Sequence, residues 1–197
     1  MPEIQNLAVY CGSKVGRDAR FADAARHLGH IMAERNIKLV YGAGNVGLMG
    51  VIADAILEKD GHAIGVIPYG LSDKELAHEG LDELHVVDSM HERKEMMVVR
   101  SDAMVAIPGG IGTLEEIAEA LTWALLGIHQ KPCGLWNVGG YYDHLIAFLD
   151  HSVEVGFLAP EHRALLHVND SMEALLDELT AYQAPGVEWR RKPTVEG

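Results

Sequence analysis

Two stretches of this sequence carry side chains whose types and spacing suit chemistry on phosphorylated compounds. The first is Pro108-Gly109-Gly110-Ile111-Gly112-Thr113-Leu114-Glu115-Glu116. Glycines let a backbone approach a phosphate, and the unpaired amides and dipole at a helix start favour negative charge there. Thr113 adds a hydroxyl, so a phosphate is expected on Gly109, Gly110, Ile111, Gly112 and Thr113. Glu116 would then stand one turn along, at roughly sugar distance, where a carboxylate polarises water or stabilises an oxocarbenium-like centre. Thr113-x-x-Glu116 also matches a capping box, a purely structural use of the same residue. Glu115 points about 100° away on a helix and cannot act as a close partner of Glu116. Glu119 reads as surface charge.

The second stretch is Met90-His91-Glu92-Arg93-Lys94. Two adjacent cations near a helix start oppose the dipole, which favours acids there. Arg93, with Lys94 beside it, is therefore expected to meet a phosphate or a developing negative charge next to the glycine turn. The alternative is that both are solvated and pair with Glu92 or Glu95. The glycine turn is not a Walker A loop, lacking the lysine after its last glycine, and it is not G-x-G-x-x-G. His27 with His30, and His144 with His151, sit at helical spacings without a third ligand, so no metal is assigned. There is no G-x-S-x-G elbow, and neither cysteine has an activating pattern.

Positioning these groups requires a strand before each glycine turn. Asp102–Ile107 is a short apolar run of the kind that forms a buried parallel strand, leading into a helix over Leu114–Gly127. Ile4–Cys11 reads as a strand that exits through Gly12-Ser13. Asp18 caps a helix to about Arg35, and Ile37–Tyr41 is a strand that exits through Gly42-Ala43-Gly44. A helix follows from Gly47 to about Lys59, then strands over His62–Pro68 and Leu84–Asp88, with a short helix near Lys74–Ala77 between them. Met90–Arg100 reads as a helix and Lys131–Trp136 as a strand. A helix over Tyr142–Val155, an edge strand over Leu165–Val168 and a helix over Met172–Tyr182 follow. The alternation predicts an α/β fold: a single doubly wound, Rossmann-like domain over residues 1–182, its parallel sheet flanked by helices, with a loose tail over 183–197. The turns holding Gly12, Ser13, Gly42, Gly44 and Gly109 then share the carboxyl edge of the sheet, where a nucleotide-sized pocket is expected.

Composition narrows the partners. With 197 residues and 48% hydrophobic content, the chain suffices for one well-buried domain. A net charge of −13 argues against a nucleic-acid partner. Cys11 and Cys133 are far apart and read as buried hydrophobes in a reducing compartment. Met1–Asn6 lacks a basic n-region, and no apolar run approaches a membrane span. A cytoplasmic protein without a membrane partner is expected.

Taken together, the two stretches resemble the motifs of the LOG ("lonely guy") family, the cytokinin riboside 5'-monophosphate phosphoribohydrolases, many of them once labelled "lysine decarboxylase". The likeness extends through Tyr10-Cys11-Gly12-Ser13, the run Tyr41 to Gly50 and Gly65-Val66-Ile67-Pro68, from about Ile4 to Leu158. One departure stands out: the family usually has three glycines where this chain has Gly42-Ala43-Gly44. The extra methyl is tolerable if φ is negative at Ala43 and awkward if it is positive.

The resemblance implies hydrolysis of the N-glycosidic bond of an adenosine monophosphate, plain or N6-substituted, to free base and ribose 5-phosphate. It implies Arg93 and Glu116 as the catalytic pair. Glu75, Lys94, Gly110, Ile111, Gly112, Thr113, Leu114, Glu115 and Thr122 match substrate positions. It implies no metal or redox cofactor, and a homodimer with the site near the interface. The helix from Leu114 to Leu126 is apolar enough to be either core or interface. A more distant likeness to molybdenum-cofactor carrier proteins leaves a non-catalytic nucleotide or cofactor carrier as the alternative. The decarboxylase label would require pyridoxal phosphate on a lysine, and nothing marks Lys94 as an aldimine former.

Overall fold

The computed structural model describes residues 3–71 and 77–185. Its strands are β1 (Asn6–Tyr10), β2 (Lys38–Tyr41), β3 (Ala63–Pro68), β4 (Glu83–Val87), β5 (Ala103–Ala106), β6 (Cys133–Trp136) and β7 (Leu166–Asn169). Its helices are α1 (Ala19–Glu34), α2 (Gly47–Leu57), α3 (Met90–Arg100), α4 (Ile111–Leu125), α5 (Asp143–Glu154), α6 (Pro160–Arg163) and α7 (Met172–Ala181). The expected short helix near Lys74–Ala77 falls almost wholly outside the described residues, as do Glu75 and the tail beyond residue 185.

The strands form one sheet in the order β4-β3-β2-β1-β5-β6-β7, every pairing parallel. The doubly wound α/β expectation holds. Short runs such as Ala103-Met104-Val105-Ala106 are buried throughout, as a strand covered on both faces must be. Alternate side chains go to opposite layers. Leu7 and Val9 join the core beneath α1, α2 and α7, while Ala8 and Tyr10 join the one beneath α3, α4 and α5. Helix α1 packs so closely on α2 that a Cβ on Gly29 would lie 2.7 Å from the Ala55 methyl.

Side-chain caps set some of the helix starts. Asp18 caps α1 by accepting from the Arg20 amide at 3.0 Å, and Ser171 caps α7 by accepting from Ala174 at 3.3 Å. Helix α4 departs from expectation, because it begins at Ile111 rather than Leu114. Among the described residues no helix is long and apolar enough to cross a membrane. The consequence of this topology is positional: chain order reverses between β1 and β5, and there the carboxyl edge opens into a crevice.

Candidate active site

The exit loops of β1 and β5 meet at that crevice. The Gly12 amide donates to the Pro108 carbonyl at 3.1 Å, and the Gly12 carbonyl accepts from Leu48 at 2.9 Å. Gly110 is the N-cap of α4, and among the described residues no side chain caps the helix. The first amides of α4 are therefore left to an outside acceptor, the condition for anion binding. Gly109 has no alternative residue type, since a Cβ there would stand 2.1 Å from Thr113 Oγ1.

The helix start also removes the capping box read at Thr113-x-x-Glu116. Thr113 is the third residue of α4 and buried, so Glu116 lies too far along to bond a cap amide. The pattern operates at Ser89-x-x-Glu92 instead. Ser89 Oγ accepts from the Glu92 amide at 3.1 Å, and Glu92 Oε2 accepts from the Asp88 amide at 2.9 Å.

Glu116 instead faces Arg93 across the space between α3 and α4. The side chains are 11% and 8% exposed, with Nη2 3.8 Å from Oε1. Arg93 Nη2 donates to the Gly42 carbonyl at 3.5 Å, and Nη1 lies 3.7 Å from Met90 Sδ. Its buried Nε has no hydrogen-bond partner among the described residues. A buried guanidinium held this loosely retains capacity for an anion. Gly42 makes room for it, because a Cβ there would lie 1.7 Å from Nη2.

Arg93 and Glu116 share a cavity of about 220 Å³ with Ser13, Gly42, Gly110, Ile111, Gly112 and Thr113. Cys11 also lines it. Burial pushes the Cys11 thiol up and the Glu116 charge adds to this, Arg93 opposing, so the sulfur stays protonated and is a poor nucleophile. Gly12 and Gly109 line an adjoining cavity of about 350 Å³ on the other flank of the turn, with Phe21 and Tyr141.

Lys94 does not line the smaller cavity. It is 5% exposed, and its ammonium pairs with Glu115 and, at 2.9 Å, with Glu119. Desolvation lowers its pKa, but the hydrogen bonds to Glu115 and Glu119 outweigh this and leave it above the ordinary lysine value. Glu119 is thus not plain surface charge, and Lys94 pairs with two acids of α4 rather than with Glu92 or Glu95, the alternative to a phosphate contact. An ammonium held this way is the opposite of the neutral amine an aldimine requires.

The remaining expected residues are dispersed. Gly44 forms an isolated bridge with Ala77, and the Ala43 carbonyl accepts from His78 at 2.9 Å. Ala43 has φ +64°, the awkward case. Its methyl fits because Gly65 faces it, where a Cβ would come within 2.7 Å. Leu114 borders an apolar groove with Ile117, Leu121 and Leu145 and does not line the cavity that holds Glu116. Thr122 is exposed, its hydroxyl donating to the Ala118 carbonyl at 2.7 Å. Sequence reasoning missed Tyr141, whose hydroxyl donates to the Gly109 carbonyl. The only signal was a pair of tyrosines following Gly139-Gly140.

A family model described as "Possible lysine decarboxylase" matches residues 49–179. Over 178 residues the chain is 49% identical to a probable cytokinin riboside 5'-monophosphate phosphoribohydrolase of Oryza sativa subsp. japonica, covering 90% of this chain and 78% of that one. It is 46% identical over 180 residues to a cytokinin riboside 5'-monophosphate phosphoribohydrolase of Arabidopsis thaliana, covering 91% and 84%. Among solved structures, the molybdenum cofactor binding protein of Rippkaea orientalis superposes with a TM-score of 0.68 at 22% identity, over 92% of this chain and 98% of that one. The Moco carrier protein of Chlamydomonas reinhardtii gives 0.67 at 23%, over 89% and 97%. At such identities the last two share the fold alone.

Proposed function

Because the chain belongs to the LOG family of cytokinin riboside 5'-monophosphate phosphoribohydrolases, we propose that it hydrolyses the N-glycosidic bond of adenosine 5'-monophosphate or an N6-substituted relative. The observation that carries this reading is the buried Arg93–Glu116 pair at 3.8 Å, set beside an uncapped helix start in one cavity. The phosphate rests on the amides of Gly110 to Thr113, which brings the sugar alongside Glu116. As the bond from the anomeric carbon to the base breaks, its electron pair leaves with the purine and positive charge grows on the sugar. The Glu116 carboxylate offsets that charge and orients the water whose oxygen joins the anomeric carbon. Arg93 positions the nucleotide or offsets charge on the departing base, which finally takes up a proton. Ribose 5-phosphate and free base result.

The test is an end-point assay on AMP and isopentenyl-AMP that detects both products. Release of base and ribose 5-phosphate in equal amounts from either substrate is the expected result. Saturable AMP binding with no base released, across pH and both bases, would replace this reading with a non-catalytic carrier.

The same helix supports a homodimer. Within one chain α4 buries only Thr113, Ile117 and Ala120 among its described residues. Leu114, Leu126, Ile128 and, on α5, Phe148 stay exposed at 37% to 63%. A second copy pressed on this face would cover them and put the interface close to Glu116. Sedimentation should give twice the chain mass, and a monomer at micromolar concentration would refute it. Fractionation should recover the protein from the cytoplasm, and recovery elsewhere would refute that placement.

A further inference from the structure

The turn that receives the phosphate contains three consecutive carbonyls, and an anion is repelled by every carbonyl oxygen that faces it. Each has a donor elsewhere in the chain. The Ile107 carbonyl accepts from Tyr142 Oη at 2.8 Å, the Pro108 carbonyl from the Gly12 amide at 3.1 Å, and the Gly109 carbonyl from Tyr141 Oη at 2.5 Å. The first two are secured by buried partners. The third precedes Gly110, and a Gly-Gly peptide plane is the easiest in the turn to rotate, having no side chain to resist. A trans peptide is planar, so its carbonyl and the next amide point in opposite directions. Holding the Gly109 oxygen on the side of Tyr141 therefore directs the Gly110 amide away from Tyr141.

We infer that Tyr141 is a positioning residue for the phosphate site, its hydroxyl locking the Gly109–Gly110 peptide with the Gly110 amide turned toward the substrate. Tyr141 borders the 350 Å³ cavity, whereas Arg93 and Glu116 line the 220 Å³ one, and Gly110 borders both. The tyrosine thus acts from behind the turn without a place beside the reacting atoms. Its ring is itself fixed, meeting Phe21 edge-on at 5.5 Å and Tyr142 edge-on at 5.0 Å. Tyr142 is set in turn by Asn137, whose Oδ1 accepts from the Tyr142 amide at 2.8 Å. Burial pushes the Tyr142 phenol up and the neighbouring Tyr141 adds to this, so Tyr142 remains a donor to Ile107 at any working pH.

This inference rests on the phosphoribohydrolase reading, and Tyr141→Phe separates the two. The substitution keeps both ring contacts and removes only the hydroxyl. The net worth of one hydrogen bond, about 1 kcal/mol, corresponds to about fivefold in affinity. The expected result is that the AMP KM and the inhibition constant of ribose 5-phosphate rise together by about fivefold. The kcat should stay within about twofold, and inhibition by adenine, which lacks a phosphate, should not change. Unchanged AMP KM and ribose 5-phosphate inhibition would overturn the inference. So would an equal loss of adenine and ribose 5-phosphate affinity, which would mean general loosening of the site. If the wild-type protein releases no base, the functional reading fails instead. Calorimetric titration with AMP then still tests the lock, a fivefold weaker Kd in the variant supporting it and an equal Kd overturning it.

Discussion

Gly42→Ala tests whether the position of one guanidinium governs this site. A Cβ at Gly42 would stand 1.7 Å from Arg93 Nη2 and 2.8 Å from its Cζ. The backbone there accepts alanine, since Gly42 is not among the positive-φ glycines. The conflict is thus with the end of one flexible side chain, which must retreat by roughly 1.7 Å to reach ordinary contact. A misplacement of about 1 Å commonly costs on the order of 10²-fold in rate, so kcat/KM should fall by at least about 10²-fold. Overpacking costs about 1–3 kcal/mol, and the lower end applies where a side-chain terminus yields, giving a fall in Tm of about 2–4 °C. Initial-rate base release and a thermal melt followed by circular dichroism supply both numbers. A Gly42→Ala protein within about threefold of wild-type kcat/KM would refute the argument that Arg93 must sit where it does. A melt lowered by more than about 10 °C would place the damage in the fold instead.

Other expectations follow from the same contacts. Glu116→Gln should lose about 10³-fold in kcat while binding AMP normally, because Glu116 caps no helix; normal turnover would remove it from the mechanism. Lys94→Met leaves Glu115 and Glu119 without their cation and should destabilise by about 1–2 kcal/mol at pH 7, discounted because Glu115 is half exposed. The folded-state lysine pKa is raised, so this contribution is complete below the unfolded value of about 10.4 and disappears as pH climbs through the folded value. Denaturant melts of both proteins should accordingly converge at high pH, and a constant difference would contradict the assignment. Both thiols should resist a disulfide reagent in the native protein at pH 8, since burial raises Cys11 and pushes Cys133 up to about 12. Rapid labelling without unfolding would show that the cavity around Cys11 is more open than described.

What the sequence revealed was what its local pattern encodes. Asp18 before an amphipathic run and the bounds Met90–Arg100 emerge unchanged, because caps and periodicity act within a few residues. The start of α4 did not, since Ile111-Gly112-Thr113 has no apolar period and the first turn is held by the strand and loop beneath it. The S/T-x-x-E pattern occurs at both Thr113 and Ser89 and operates at Ser89; spacing alone does not say which residue begins a helix. Arg93 and Glu116 could be singled out as chemical groups. Their setting depended on contacts distant in sequence: the Gly42 carbonyl for Arg93, and two acids of another helix for Lys94. The positive φ of Ala43 was likewise invisible, because it is tolerated only through the bare Gly65 opposite.

The adjacent residues of α3 and α4 form two rungs of unequal tightness. Arg93 and Glu116 make the slack one, at 3.8 Å; Lys94, gripped by Glu115 and Glu119, makes the taut one beside it. A slack rung can spread to admit a sugar ring without the helices drifting apart, because the taut rung one residue away acts as a fixed caliper. The opening between the proposed catalytic groups is therefore set by neighbours that never enter it.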